Sequence, residues 1–160
     1  MKKIILALFI IGLLISGLIR YEKIKKEKAF IDRDIIRFKY YYGSGEGTLY
    51  EYNINYKDDK YVLTLKGFDF NNDKMNIEKE IDKNDIIELS KVIEDNNIKS
   101  WNGFDESEKG IFDGNGFSLE IEYKSGEKIV AHGYMKYPEN YKESHKKLSE
   151  YLLKLSNKES

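Results

Sequence analysis

The chain has 160 residues and a mass of 18.8 kDa, the size of one ordinary domain with an appendage. Its formal net charge is -1, from 27 Lys and Arg residues against 28 Asp and Glu residues, so no overall positive field attracts nucleic acid. The chain contains no cysteine, which excludes disulfides, thiolate zinc sites and a cysteine nucleophile.

The first twenty residues, MKKIILALFIIGLLISGLIR, predict a membrane-spanning helix. Two lysines precede an uncharged apolar run at residues 4–19, and Arg20 follows it. As a helix the run would extend about 24 Å, against a hydrocarbon core of roughly 30 Å, and snorkelling of the flanking cations can add reach. We expect a signal anchor at residues 1–20 that contacts the lipid bilayer through residues 4–19, with a cleaved signal peptide as the alternative.

The charges around this segment give conflicting signals about its orientation. Five basic residues follow the run within residues 20–28 and two precede it, so the positive-inside rule would leave the larger part in the cytoplasm. A short lysine start directly before an apolar run is instead typical of an export signal. We expect the C-terminal domain to lie outside the membrane, after a charged stalk at residues 21–34.

From residue 35 onward the pattern predicts a globular domain at residues 35–160 that begins with four strands. Apolar or aromatic residues alternate with polar ones at residues 36–42, 50–56 and 61–65, and Met75 and Ile77 open a fourth segment. Turn sequences separate the segments, among them GSGEG at residues 43–47 and KDDK at residues 57–60.

A helix is predicted after the fourth strand. Asp82 is its expected N-cap, Asp85 the acid of its first turn, and it runs to about Asn96. Trp101 follows, and a lone tryptophan is most simply a core anchor. The apolar stripe of the helix, widened by Val92, consists of Ile86, Leu89 and Ile93.

Residues 113–137 predict a β-hairpin. The turn sequence DGNG starts its first strand, and Ser125-Gly126 marks the tight turn. Because Ala131 and Gly133 are small, we expect a helix to cross the sheet closely there. The buried face would carry, on the first strand, Phe117, Leu119, Ile121 and Tyr123, and on the return strand Ile129, Ala131, Gly133, Met135 and Tyr137.

The last segment predicts a helix that begins near Pro138, a residue suited to the first helical turn. The predicted fold class is therefore α+β, an antiparallel sheet in the order β-β-β-β-α-β-β-α with helices on one face, preceded by one transmembrane helix. The face of the last helix that meets the sheet would carry Tyr141, Leu148, Tyr151, Leu152 and Leu155.

Two acidic segments resemble metal sites in composition, and neither fits a template. The first occupies positions of a calcium loop, but Lys74 stands where that loop needs glycine and the flanks read as strands. The second matches no ligand spacing, so we expect no metal and no cofactor. The two sets are Asp69, Asn71, Asp73 and Glu80, and Asp105, Glu106, Glu108 and Asp113.

No catalytic arrangement emerges from the other polar residues. His132 and His145 stand in no metal or triad spacing, and we expect His132 to be solvated on the outer face of the sheet. The glycines at residues 43–47 lack the strand–turn–helix setting of a phosphate loop. Glu120 and Glu122 would lie about 7 Å apart, as in inverting glycosidases, but any alternating strand produces that separation. We predict no enzymatic activity.

Four short motifs in the C-terminal half carry a resemblance to other proteins. They run from WNGF at residues 101–104 through DGNGFSLEIEY and SGEKIVAHGY to YPENY at residues 137–141, about a third of the chain. The pattern resembles that of uncharacterised small exported or membrane-anchored proteins of low-GC Gram-positive bacteria. The resemblance implies an extracytoplasmic α+β domain and supplies no catalytic residues.

These features predict a membrane-anchored, non-enzymatic module outside the cell that binds a protein or cell-envelope partner through the open face of its sheet. That face would mix aromatic and polar groups, as interfaces do. The six residues expected on it are Arg37, Lys39, Tyr41, Val130, His132 and Tyr134.

Two other functions stay open. One is a small-ligand or glycan-binding domain with a concave pocket, and the other is an immunity or inhibitor protein. The aromatic residues that would stack on a ligand are Tyr50, Tyr52, Tyr56 and Trp101.

Overall fold

The computed structural model describes residue 20 and residues 34–44, 49–68, 74–110 and 114–159. The chain divides into two units, Met1–Asp34 and Ile35–Ser160. The predicted anchor at residues 1–20 and stalk at residues 21–34 lie outside the described residues, apart from Arg20 and Asp34. Within the described ranges, no helix is both long enough and apolar enough to cross a membrane.

The second unit contains the strands and helices expected of an α+β domain. Its two α-helices are α1 (Lys83–Asp95) and α2 (Tyr141–Asn157), and a short 3₁₀ helix (Ile98–Trp101) follows α1. The strands are β1 (Ile35–Ser44), β2 (Leu49–Lys57), β3 (Lys60–Phe68), β4 (Lys74–Ile81), β5 (Asp105–Ser107), β6 (Asn115–Tyr123) and β7 (Lys128–Tyr134).

The strands form one sheet in the order β4-β3-β2-β1-β6-β7-β5. Every neighbouring pair is antiparallel except β5 and β7, which run parallel. The predicted α+β class and the mainly antiparallel sheet are confirmed, but the predicted order is incomplete, because three strands rather than two lie between the α-helices. Strand β5 was not predicted, because its residues lie in a segment that reads as a solvated acidic loop.

The hydrophobic core lies between the helices and one face of the sheet. Alternate residues of the central strands point into it, among them Phe38, Ile54 and Leu119, each fully buried. Each such side chain contributes roughly 1.5–3 kcal/mol by leaving water. Most of both predicted helical stripes is confirmed as buried, on α1 Ile86, Leu89 and Ile93, and on α2 Leu148, Leu152 and Leu155. The other predicted members, Val92, Tyr141 and Tyr151, are partly buried against the core.

The start of α1 is the predicted one. The Asp82 carboxylate accepts a hydrogen bond from the Asp85 backbone N–H, and the Asp85 carboxylate accepts one from the Asp82 N–H, each at 3.0 Å. This reciprocal capping box satisfies donors that the first helical turn leaves open. The helix ends at Asp95, and Asn97 then takes a left-handed conformation with φ 51°.

The segment after β7 differs from the prediction. Met135 and Tyr137 were expected to continue the buried face, but β7 ends at Tyr134 and both residues are exposed. Met135 has a φ of 58°, which turns the chain away from the strand direction. The last helix begins at Tyr141 with Asn140 as N-cap, not near Pro138.

The prediction that a helix crosses closely at Gly133 is also wrong. The atoms that crowd this glycine belong to Lys136 and Phe117. A Cβ added at Gly133 would collide with the Lys136 carbonyl oxygen and with the Phe117 ring. The chain that leaves β7 therefore folds back against its own strand, and only a residue without a side chain fits between these groups.

Candidate functional site

The face of the sheet opposite the core, here called the open face, carries all six residues predicted for partner binding. Three lie on β1 and three on β7, with β6 between the two strands. Tyr41 pairs with Ser118 of β6, which pairs in turn with His132. The six residues are Arg37, Lys39 and Tyr41 on β1, and Val130, His132 and Tyr134 on β7.

These side chains are accessible to different degrees. Lys39 and His132 are exposed, and the apolar Val130 is 51% exposed. Tyr41 and Tyr134 are half-buried. The Tyr134 hydroxyl also accepts a hydrogen bond from the Gly114 N–H at 2.8 Å, which fixes that side chain near the start of β6. No described element covers the open face.

A ladder of ion pairs crosses the middle of the open face. The Arg37 guanidinium lies 3.7 Å from the Glu122 carboxylate and 4.0 Å from that of Glu120, and Lys128 lies 3.4 Å from Glu122. The two glutamates that were weighed as a carboxylate pair are thus neighbours of cations. Exposed pairs of this kind contribute about 0–1 kcal/mol each.

A second polar group lies on the opposite face, between the sheet and α2. The hydroxyl of Tyr40 on β1 lies 2.6 Å from Nδ1 of His145 on α2, and the Ser149 hydroxyl lies 3.2 Å from the same nitrogen. Tyr42 packs edge-on against the imidazole, with ring centroids 4.7 Å apart. We call these residues, with Tyr141, the Tyr40–His145 cluster.

Burial keeps this cluster uncharged near neutral pH. It raises the pKa of Tyr40 well above 10.0 and also raises the pKa values of Tyr42 and Tyr141. Burial lowers the pKa of His145 below 6.5, because removal from water penalises the imidazolium. The cluster therefore presents neutral hydrogen-bonding groups and aromatic rings rather than ions.

The sequence did not single out this cluster. Tyr40 and His145 are 105 positions apart, and neither stands in a spacing typical of catalysis or metal binding. The only available signal was that Tyr40 and Tyr42 alternate onto the buried face while Tyr141 and His145 lie one helical turn apart.

The four aromatic residues considered for ligand stacking do not meet at one surface. Trp101 and Tyr52 are buried in the core, and Tyr50 packs against it. Tyr56 is 40% exposed at the β2–β3 turn, where its hydroxyl donates to the Asp59 carboxylate at 3.0 Å. The predicted role of Trp101 as a core anchor is confirmed, and a stacking site built on these four residues is not formed.

The acidic segments are not gathered into a metal site within the described ranges, which contain no group of three or more candidate ligands. Glu80 lies on β4 and pairs with Lys60 at 2.8 Å, and Glu108 pairs with Lys136 at 2.8 Å. The remaining calcium-loop positions at residues 69–73, and Asp113, lie outside the described residues.

A third polar arrangement joins the two helices. The Asp85 carboxylate, which is almost fully buried, lies 2.8 Å from the Lys158 ammonium, and the Tyr151 hydroxyl donates to the Asp85 carbonyl at 2.6 Å. A cavity of about 460 Å³ opens beside these groups. Since the Asp85 carboxylate already accepts the Asp82 N–H and pairs with Lys158, this arrangement serves the packing of α1 on α2.

Comparison of the chain with protein-family models, with curated proteins and with solved structures gave no match in any of the three. The resemblance to small exported proteins therefore stays an expectation from the motifs at residues 101–141.

Proposed function

We propose that the chain is a membrane-anchored binding module without enzymatic activity, held in the bilayer by residues 4–19. Its domain at residues 35–160 faces the outside and binds a protein or cell-envelope partner through the open face of the sheet. The observation that supports this function is the open face itself, where accessible aromatic, apolar and charged side chains lie on β1 and β7, on either side of β6.

The composition of the open face suits a transient interaction with a separately folded partner. Interfaces between separately stable proteins are about as polar as ordinary surface and carry a few aromatic anchors within a polar rim. Tyr41, Val130 and Tyr134 provide apolar and aromatic area, and Arg37 and Lys39 provide charge around it. Arg37 is about half exposed and its glutamate partners are partly buried, so a partner protein can reach the guanidinium beside these pairs.

Site-specific cross-linking tests the role of the open face. A photoreactive amino acid at Lys39 or Val130 should give a discrete, light-dependent adduct in the cells that encode the protein. The same amino acid at Lys146, exposed on α2, is the matched control and should give none. Equal adducts from all three positions, or none from the open face, would contradict the proposal.

A triple variant gives the complementary test. Replacing Arg37, Tyr41 and His132 with alanine should abolish the adduct formed from Val130, because these side chains lie on the same face. Far-UV circular dichroism checks that the variant stays folded. An adduct of unchanged yield in the folded variant would remove these three residues from the proposed interface.

The absence of cysteine from the sequence makes the orientation simple to test. A Lys142→Cys variant carries one thiol, on the exposed side of α2. A membrane-impermeant maleimide should label this thiol in intact cells if the domain lies outside. Labelling only after the membrane is permeabilised would place the domain in the cytoplasm and contradict this part of the proposal.

A further inference from the structure

A cavity of about 320 Å³ opens at the end of the sheet where β1 finishes and β6 begins. Its volume falls at the lower end of the range of small-molecule sites, which is roughly 300–1,000 Å³. The cavity adjoins the Tyr40–His145 cluster and is distinct from the open face. Its described lining consists of Tyr42, Gly43, Asn115, Gly116, Tyr137, Tyr141 and His145.

His145 can offer a hydrogen-bond donor to this cavity. A phenol is a better donor than an imidazole N–H, so the short contact at 2.6 Å is best described as the Tyr40 hydroxyl donating to Nδ1. The imidazole proton then resides on Nε2. Nε2 has no hydrogen-bond partner among the described residues. Every buried side-chain nitrogen or oxygen in the described part of the chain has such a partner. Nε2 therefore keeps contact with solvent.

Asn115 offers a second polar group that the fold does not use. Its backbone carbonyl accepts hydrogen bonds from the Met135 N–H at 2.9 Å and from the Tyr137 hydroxyl at 3.0 Å. Its side-chain amide makes no hydrogen bond within the described part of the chain, and the residue is exposed. The backbone of Asn115 is thus held in place beside the cavity, and its free side-chain amide can both donate and accept.

Aromatic rings complete the lining. Tyr137 stacks on Tyr141 with centroids 4.6 Å apart, and Tyr141 stacks on His145 at 5.1 Å with an angle of 6° between the planes. The described lining residues include no Asp, Glu, Lys or Arg, and burial holds His145 in its neutral form. The cavity combines flat aromatic surface with neutral donors and acceptors.

We propose that this cavity binds a neutral saccharide ring. The C–H faces of a sugar pack on tyrosine rings, while its hydroxyls pair with Nε2 of His145 and the amide of Asn115. A purely apolar ligand would leave those polar groups unpaired, and a charged ligand would meet no opposite charge in the described lining. The inference does not depend on the partner proposed for the open face.

The two histidines of the chain provide the test. In the full-length protein with isotope-labelled histidine, in a detergent without a sugar headgroup, NMR gives one imidazole signal from the cavity and one from the open face. Titration with N-acetylglucosamine, chitobiose, cellobiose or maltose should shift the His145 signal saturably for at least one sugar. The His132 signal should stay in place and serves as the internal control.

Variants of the protein test which side chains bind the sugar, and charged sugars test the preference for a neutral ligand. Asn115→Ala keeps the backbone bonds and should weaken binding roughly threefold to tenfold, the effect of one neutral hydrogen bond. Lys91→Ala, exposed on α1 and away from the cavity lining, should leave binding unchanged. Glucuronic acid and glucosamine should bind more weakly than the neutral sugars. No saturable shift of His145 with any neutral sugar, or an equal response of both histidines, would overturn the proposal.

Discussion

Trp101 connects three separate parts of the domain. Its ring packs against Phe117 of β6 and Tyr141 of α2, with centroids 5.5 and 5.2 Å apart. Its indole N–H donates to the Asn140 carboxamide oxygen at 2.8 Å, and the Asn140 amide donates to the Asn96 carbonyl at the end of α1. One buried side chain thus links both helices to the central sheet.

Removal of this side chain should be costly. We expect Trp101→Ala to lower the free energy of unfolding by about 3–5 kcal/mol, because it opens a cavity in the core and leaves Asn140 without its donor. Urea unfolding followed by far-UV circular dichroism measures the change. Lys91→Ala, exposed on α1, is the control and should stay within about 0.5 kcal/mol of wild type. A loss from Trp101→Ala no larger than that of the control would show that the indole does not anchor the core.

His145 should make stability depend on pH in the mildly acidic range. In the folded state, burial lowers the pKa of His145 below its ordinary value of 6.5. As the pH falls, the imidazole of the unfolded chain is therefore protonated before that of the folded chain. The stabilisation by the neutral imidazole is present above the unfolded pKa and is lost as the pH falls through 6.5 toward the folded pKa. The neighbours Tyr40, Tyr42 and Tyr141 stay neutral over that range, since burial raises their pKa values.

The measurement compares wild type with His145→Gln, whose amide can still accept from Tyr40. Between about pH 7.5 and about pH 5.5 the wild type should lose more stability than the variant, as read from urea midpoints. The acidic groups titrate mainly lower and are common to both proteins. Identical pH slopes would mean that His145 is not held in its neutral form by the fold.

At the scale of elements, the chain packs closely where it returns from β7 toward α2. Gly133 lies on β7 opposite Phe117, and the Lys136 carbonyl closes over it. We expect Gly133→Ala to destabilise the domain by about 1–3 kcal/mol through overpacking. The matched control is Gly116→Ala on β6, where an added Cβ lies 3.3 Å from the nearest atom. Thermal unfolding of both variants gives the comparison, and equal losses would contradict the close approach at Gly133.

Most elements were predictable because their signals are local. Alternation predicted the long strands, and the aspartates at the start of α1 predicted its N-cap and its first-turn acid. Strand β5 was not predictable in this way, because non-local backbone bonds hold it, such as the Glu108 N–H to the Tyr134 carbonyl at 2.9 Å. The end of β7 was misplaced for a similar reason, since Tyr137 is held by stacking on Phe117 and Tyr141 and by its hydroxyl bond to the Asn115 carbonyl, not by strand pairing.

The candidate sites also differ in whether local sequence patterns predict them. The open face follows from alternation, so its six residues could be placed from the sequence alone. The Tyr40–His145 cluster and its cavity depend on where α2 crosses β1, which no local pattern specifies. The incorrect grouping of Trp101 with Tyr56 as ligand-stacking residues arose because aromatic type alone does not distinguish a core ring from an exposed one.

At the scale of the whole molecule, the chain divides into the unit Met1–Asp34 and the unit Ile35–Ser160. The described part of the second unit contains both helices, every strand of the sheet and the buried core. Roughly 125 residues suffice for an independent core without disulfides. We therefore expect residues 35–160 to fold without the proposed anchor at residues 1–20.

The most direct test of this account is equilibrium unfolding of residues 35–160 alone. The fragment should be soluble and monodisperse, and it should unfold in one cooperative transition by heat and by urea. In parallel, the full chain should stay with the membrane pellet after carbonate extraction. An aggregated fragment, or one without a cooperative transition, would show that the first unit is part of the fold and would contradict the separation of anchor from binding domain.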